Sequence, residues 1–340
     1  MKNKSFLKIF IFFLFYLIGT FIFSNLKPIS NQIIIEKILS EDDKKIIFQS
    51  NLNGQEIKIE YEKRNNIFIP KVGDRVLVEK IRNKYFIADF YRLDKLFILI
   101  LIFFLVIFFV IGKESVGSII SLFFSFLVIF GSILNNLINQ TDPIITVLLS
   151  MIFLVPISFY VSHGLNKKTT IAVFGSLVSI FIALILSLIF VKKSFITGTT
   201  AEETGFLTTI TKKNFDFQGL LIASIIIGVF GSIDDIAISQ VSLVEKIINI
   251  NPKLKEEEIY KKAIAFGKDH VNSIINTLFL VYTSASLPLL LLFLVSKKSF
   301  FELLNYEVVA SEITRMIIAT IAVVITIPIT TYLAVKNLKN

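Results

Sequence analysis

The chain has 340 residues and a net charge of +9; 54% of its residues are hydrophobic and only 18% are charged. Soluble domains carry a larger charged share, and the mean hydropathy of +0.76 indicates a membrane protein. The absence of cysteine excludes disulfides, thiol chemistry and cysteine metal sites. With two histidines, a histidine-based metal site would need carboxylates to complete it, and we expect no cofactor.

The positive charge is explained by membrane topology, because lysines spread over the loops of a membrane protein set its orientation. We therefore expect the lipid bilayer as the main partner and no nucleic acid. A transmembrane helix needs roughly 20 apolar residues, and eight such runs are predicted as spans: 6–24, 95–112, 116–135, 143–162, 169–191, 219–244, 273–296 and 312–335.

The first run follows three lysines and resembles a signal peptide. It ends in "FIFSNLKP" without a small-x-small cleavage site, which favours an uncleaved anchor. The predicted organisation is an N-terminal anchor helix (1–25), an extracytoplasmic β domain (26–93) and a seven-helix membrane domain (94–340).

Lysine asymmetry sets the expected orientation. If the N-terminus is inside, the inner flanks hold 14 lysines and the short outer loops hold six. The inner lysines are Lys2, Lys4, Lys8, Lys113, Lys167, Lys168, the six between Lys246 and Lys268, Lys336 and Lys339; the outer ones are Lys192, Lys193, Lys212, Lys213, Lys297 and Lys298. Both termini of this protein are therefore predicted to be cytoplasmic, in the plasma membrane.

The predicted extracytoplasmic insert has the alternation of β-strands. "KKIIFQSNL" and "QEIKIEYE" flank a candidate Asn53-Gly54 hairpin turn, and "VGDRVLVEKI" and "KYFIADFYRL" are two further strand-like runs. About five strands fit in this length, and we expect a small OB-like barrel.

The stretch "GVFGSIDDIAISQVS" places two adjacent acids, Asp234 and Asp235, inside an apolar helix. At about 100° per residue, one arc of about 80° collects its small and polar members: Gly228, Ser232, Asp235, Ser239 and Ser242. Asp235 is thus expected to face another helix or a wet cavity, and Asp234 to lie off this stripe. The alternative is a structural role, in which the acids hydrogen-bond neighbouring helices together.

Similar stripes are predicted on the last two spans, and the three stripes are expected to converge. The seventh span contributes Asn272, Asn276, Thr283 and Ser286, with Asp269 at the edge, and the eighth contributes Arg315, Ala319, Ala322 and Thr326. Lys268, His270, His163 and Arg315 are secondary polar candidates. For the two histidines an ordinary interfacial role is the simpler interpretation, and Arg315 is placed where it can extend to the headgroups.

Several segments resemble the YibE/F family of integral membrane proteins over most of residues 86–335. They are "YFIADFYRLDKL", "SHGLNKKTTIAVFGSL", "TGTTAEETGFL", "GLLIASIIIGVFGSIDDIAISQVS", "GKDHVNSIINTLFLVYTSASLPLLLLF" and "EVVASEITRMIIATIAVVITIPIT". The resemblance implies a multi-span membrane protein of a kind often called a permease.

The family pattern at the acidic stretch maps onto Gly231, Asp235 and Ala237, whereas Asp234 and Gln240 match only some relatives. The family's Gly-Arg-Asp is Gly267-Lys268-Asp269 here. Lysine lacks the bidentate fork of arginine, which weakens any anion-clamping role at that position. Asn276-Thr277 and Ser286-Leu287-Pro288 match the pattern directly.

Three functional classes follow from these observations. The favoured one is a transporter of an unidentified small solute or ion, coupled to a cation or proton through a polar site on the last three helices, with Asp235 as the functional acid. The second is a non-catalytic scaffold or accessory subunit whose 26–93 domain binds a partner protein. The third, an enzyme, would be a membrane-embedded hydrolase using Asp235 and Asp269.

The predicted topology can be tested with a single cysteine in this cysteine-free chain. We expect Glu60→Cys to react with a membrane-impermeant maleimide on intact cells, because residues 26–93 are predicted to be extracytoplasmic. Lys262→Cys, in a predicted cytoplasmic loop, is the control and should react only after the membrane is opened. If Glu60→Cys reacts only in opened cells, the predicted orientation is wrong and residues 26–93 are cytoplasmic.

Overall fold

The computed structural model describes residues 31–52, 54–63, 68–112, 115–200, 202–296 and 298–339. The chain divides into two compact units, Met1–Lys113 and Glu114–Asn340. The predicted first span, 6–24, and its flanking lysines lie outside the described residues. The described chain is mostly helical, with strands only near its N-terminal end.

Six strands form one sheet in the first unit. They are β1 (Gln32–Ile34), β2 (Lys37–Glu41), β3 (Lys45–Leu52), β4 (Gln55–Glu62), β5 (Arg75–Ile81) and β6 (Lys84–Phe90). Alternate residues of β3 and β4 point inward, as their apolar alternation predicts. The most buried apolar side chains of this small core, each at most 1% exposed, are Ile35, Ile46, Phe48, Ile59 and Val76.

The sheet curves into a half-barrel. Strands β3 and β4 form an antiparallel hairpin in which Leu52 pairs with Gln55, so the two-residue connection falls where it was predicted. Strand β4 then pairs in parallel with β6, and β6 pairs antiparallel with β5. The short strand β1 pairs with β5, and the following short strand β2 pairs with β3. These two consecutive strands therefore lie at opposite edges of the sheet.

The helices follow in chain order. They are α1 (Leu93–Ile111), α2 (Ser115–Leu127), a π-helical turn (Val128–Ile133), α3 (Leu134–Ile138), α4 (Pro143–His163), α5 (Lys167–Lys193), α6 (Glu202–Thr211), α7 (Phe217–Ile250), α8 (Glu256–Ala285), α9 (Leu287–Val295), α10 (Phe300–Leu304) and α11 (Glu307–Leu338). The π-helical turn joins α2 and α3 into one apolar segment, Val116–Ile138.

Within the described residues, six helical segments are long and apolar enough to cross a membrane, and the pair α8 and α9 makes a seventh if it is one bent span. These correspond to the second to eighth predicted spans. The predicted span 273–296 is interrupted, because the pair bends by 64° at Ser286. Pro288 explains the break, since proline has no N–H and its ring clashes with the carbonyl four residues earlier.

Three long helices, α5, α7 and α11, pack against one another and form the centre of the second unit. Small residues make this close approach possible. A Cβ on Gly175 of α5 would lie 2.3 Å from Cγ2 of Thr330 on α11. Several buried hydroxyls here donate to a carbonyl one turn earlier on their own helix: Ser179, Ser187, Thr326 and Thr330.

The Gly175 contact predicts a measurable loss of stability. We expect Gly175→Ala to lower the free energy of unfolding by about 1–3 kcal/mol, the usual cost of overpacking, measured by thermal unfolding in detergent. Thr330→Ser removes the clashing methyl group but keeps the hydroxyl, so the double variant should recover much of the loss.

Gly205→Ala is the matched control, because a Cβ there has nothing within 4 Å. If Gly175→Ala unfolds at the same temperature as the unmodified protein, the helices are not in this contact.

Candidate functional site

Helix α7 carries the two acids near its midpoint. Its 34 residues extend roughly 51 Å at about 1.5 Å per residue, longer than a hydrocarbon core of about 30 Å. The side chain of Asp216 caps its first turn by accepting a hydrogen bond from the Gly219 N–H. Between Phe217 and Val244 the sequence has no charged residue other than Asp234 and Asp235.

Asp234 faces helix α4. The hydroxyl of Ser158 donates to its Oδ2 at 3.3 Å, and the Oγ atoms of Ser158 and Ser121 are 2.8 Å apart. Ser121 on α2 and Ser158 on α4 are 5% and 4% exposed. When Asp234 is ionised, the single Ser158 proton goes to its carboxylate, so Ser121 donates to Ser158. The three side chains form a hydroxyl–carboxylate chain across helices α2, α4 and α7, here named the Asp234 relay.

One oxygen of Asp234 lacks a partner. Its Oδ1 atom is buried and accepts no hydrogen bond from the described residues. A buried carboxylate oxygen without a donor is costly, and native structures contain few such groups. The relay therefore has an unused acceptor beside the Ser158 contact, which can take a proton or a cation.

Asp235 has a different environment. It is exposed, as are Ser239 on the same stripe and the neighbouring Gly231, whereas Gly228 and Ser232 are half-buried. At the N-terminal end of the stripe, a Cβ on Gly228 would lie 3.2 Å from the hydroxyl of Tyr282 on α8. Further along, the Asp235 charge interacts with His163, an exposed residue at the end of α4. The predicted stripe is thus only partly covered.

The predicted polar stripe of the seventh span lies away from α7. The buried residues of α8 are Ile259, Ala263, Gly267 and Val271. Asn276 lies nine residues after Gly267, which places it about 180° around the helix, and Asn272 and Asn276 are both exposed. Thr283 and Ser286 are half-buried, and Lys268, Asp269 and His270 are exposed. Asn272 and Asn276 therefore do not face helix α7 in this structure.

A second polar contact fastens α7 to α8 and α11. The Gln240 amide is 4% exposed and donates to the Ala263 carbonyl at 2.9 Å and to Thr331 Oγ1 at 2.8 Å. A Cβ on Gly267 would approach Gln240 Oε1 to 3.1 Å and Ile327 Cγ2 to 2.7 Å. Gly267 therefore permits the close crossing of α8, and Gln240 links three helices.

Arg315 belongs to a third group at the other end of α7. Its Nη1 atom is 3.2 Å from Glu312, and its Nη2 donates to the Ser224 hydroxyl at 3.3 Å. It does not contact Asp235. Asp235 and Asp269 make no hydrogen bond to each other, and no group of three or more His, Asp or Glu side chains in the described residues is placed to hold a metal ion.

The sequence reasoning missed Ser121 and Ser158. Each is one of the few polar residues in an apolar span, a signal that marks a position facing another helix. The hydrogen bond to Asp234, however, joins residues 76 positions apart, so no local pattern identifies it.

Comparison with protein families matches residues 99–340 to the YibE/F-like protein family. The chain belongs to this family. The matched region begins inside α1, so it follows the strands and also the segment "YFIADFYRLDKL". It contains all the apolar helices from Val116 onward, and the protein is accordingly a multi-pass membrane protein. Searches of curated proteins and of solved structures each return no match.

The Gln240 contact predicts a coupled loss of stability. We expect Gln240→Leu to lower the free energy of unfolding by about 1–2 kcal/mol, because it removes two buried hydrogen bonds. Thr331→Val should add little in that background, since both changes remove the same hydrogen bond; a double-mutant cycle in detergent measures this coupling. Ser239→Ala, on the exposed stripe, is the control. Additive effects of the two changes would contradict the contact.

Proposed function

We propose that this protein is a membrane transporter coupled to a proton or a cation, and that Asp234 binds the coupling ion. The observation that best supports this proposal is the environment of the Asp234 carboxylate. One of its oxygens accepts a hydrogen bond from a serine hydroxyl, and the other is buried and has no partner among the described residues. Ionisable residues inside membrane segments are costly, and they commonly mark ion pathways and proton relays.

The Asp234 relay suits proton binding because hydroxyl groups reverse direction. When Asp234 is ionised, Ser121 donates to Ser158 and Ser158 donates to the carboxylate. When Asp234 is protonated, its new O–H can donate to Ser158, which then donates to Ser121. Both states keep the same heavy-atom contacts. A dehydrated monovalent cation is the alternative, since the relay offers three side chains with oxygen atoms.

Asp235 supports the proposal as the exposed member of the pair. It lies one residue from Asp234 and interacts with His163 at the end of α4. An ion arriving from that end meets Asp235 before it reaches the buried acid. This assigns ion entry to Asp235 and ion binding to Asp234, whereas the sequence alone favoured Asp235 for binding. In the proposed orientation, with both termini inside, the relay lies in the cytoplasmic half of the plasma membrane.

The β region supports a separate binding role. We infer that it is an OB-like barrel: counting β1 and β2 as one strand, the first strand pairs with the second and fourth, and the third pairs in parallel with the fifth. All five residues of β2 are exposed, and an open edge strand can pair with another chain. A protein partner at this edge would make the β region the docking part of a transporter or an accessory subunit.

The proposed function predicts a hierarchy among three variants. In proteoliposomes with imposed gradients of H⁺, Na⁺ or K⁺, we expect Asp234→Asn to abolish ion flux, because it keeps the shape but removes the charge. Ser158→Ala should slow flux about tenfold or more, since a hydrogen bond to a charged group contributes roughly 1.5–3 kcal/mol. Asp235→Asn should reduce the rate without abolishing it.

Ser239→Ala is the control for substitutions on α7, and thermal unfolding of every variant separates function from folding. Normal flux in Asp234→Asn, or a loss that only follows unfolding, would show that the acid is structural. The absence of flux for all three ions in the unmodified protein would reject coupling altogether.

A further inference from the structure

A cavity of about 280 Å³ lies at the N-terminal ends of α7 and α11, beside α6. Its apolar wall includes Leu207, Phe217, Leu221 and Val308, and its charged side chains are Arg315, Glu312 and Glu203. It is smaller than most ligand sites, which measure roughly 300–1,000 Å³. The cavity therefore accepts only a small solute.

The rim of this cavity is fixed by one carboxylate. Glu307 at the start of α11 accepts hydrogen bonds from the N–H groups of Thr197 and Gly198 at 2.7 and 2.9 Å, and from the Thr197 hydroxyl at 2.8 Å. Gly198 has a φ of +76°, and a Cβ there would lie 2.3 Å from the Phe217 carbonyl oxygen. Only glycine fits this turn, and the turn holds the rim of the cavity close to α7.

The guanidinium of Arg315 has one edge with spare donors. Nη1 pairs with Glu312, and Nη2 makes only a 3.3 Å bond to Ser224. The Nε atom is buried and has no partner in the described residues. The Nε–H and an Nη2–H point in parallel on the same edge of the planar group, and such an edge matches the two oxygens of a carboxylate.

We propose that this cavity binds a small zwitterion with an apolar side chain, of the amino-acid type. Its carboxylate takes the Nε–Nη2 edge of Arg315, its ammonium group faces Glu203 and Glu312, and its side chain contacts the apolar wall. That such a zwitterion is the transported substrate rests on the proposed function. Its binding in this cavity does not depend on that function.

The charges of the cavity distinguish a zwitterion from simpler ions. Arg315 is already neutralised by Glu312, and Glu203 adds a second negative charge. A carboxylate alone would bring a third negative charge into the cavity, at a cost in repulsion. An amine alone would leave the buried Nε–H unpaired. A zwitterion satisfies the arginine edge without changing the net charge.

Leucine is the test ligand, because its two single-charge analogues have the same side chain. Equilibrium dialysis of radiolabelled leucine against the full chain in detergent should give saturable binding of about one leucine per chain. We expect 3-methylbutylamine, which lacks the carboxylate, and 4-methylpentanoate, which lacks the ammonium group, to compete at least tenfold more weakly than unlabelled leucine. Equal competition by either analogue, or no saturable binding, would overturn the proposal.

Two variants assign the binding to this cavity. Arg315→Lys keeps the charge but loses the bidentate edge, so it should weaken leucine binding tenfold or more; Glu203→Gln, on the exposed face of α6, should weaken it also. Lys193→Gln and Glu302→Gln, charge changes at exposed residues outside the cavity lining, are the controls and should bind normally. Normal binding by both cavity variants would overturn the site, and thermal unfolding checks that each is folded.

Leucine binding and ion flux separate this inference from the proposed function. If leucine binds but no ion flux that depends on Asp234 is measured, the cavity site is supported and ion coupling is rejected. Flux of an ion without leucine binding would retain the coupling and reject the cavity site.

Discussion

The structure depends on one constraint: a polar group inside the hydrocarbon core must find its partner within the protein. Most buried hydroxyls of the central helices meet it locally, by donating to a carbonyl of their own helix. Such a hydroxyl behaves as a small, satisfied side chain, and so α5, α7 and α11 pack closely despite their many serines and threonines. These residues are polar in composition but structural in role.

The buried polar atoms that do not meet this constraint identify the candidate functional groups. Among the described residues, the buried side-chain atoms without a hydrogen-bond partner are Ser176 Oγ, Asp234 Oδ1 and Arg315 Nε. The first is a neutral hydroxyl, which costs less than a charged group when it is unpaired. The other two belong to ionisable side chains in apolar surroundings. Gln240, by contrast, is more deeply buried than either and makes two hydrogen bonds, which is typical of a structural contact.

Much of the architecture could be predicted from the sequence, because hydropathy and alternation are local properties. The apolar runs appear as helices, and the turn between β3 and β4 falls at its predicted place. The OB-like prediction gains support from strand pairing that no local pattern encodes. The break at Ser286 likewise has a local cause in the sequence, because Pro288 can interrupt a helix.

The site was harder to predict, because a helical wheel shows which residues share a face but not what covers that face. Asp235 lies on the small-residue stripe and was therefore favoured, yet Asp234 contacts Ser158 of α4, which in turn contacts Ser121 of α2. Asn272 and Asn276 were expected beside α7 and lie on the opposite face of α8 from Gly267. Both differences come from helix rotation, which is set by contacts between residues far apart in sequence.

Helix α7 connects the three polar groups, and in our proposal this helix couples solute binding to ion binding. Ser224 and Asp234 are ten residues apart, about 15 Å along the helix, and Gln240 lies six residues beyond. Ser224 holds α7 to Arg315 on α11, whereas Gln240 holds it to Thr331 on the same helix. In the proposed binding mode, a carboxylate at the Nε–Nη2 edge shares Nη2 with Ser224, so it acts on the attachment at Ser224 and not on the one at Gln240. Asp234 lies between the two attachments, where a tilt of α7 about Gln240 changes its distance from Ser158. Solute binding and ion binding then bias the same helix, which is the physical requirement for coupling between two sites.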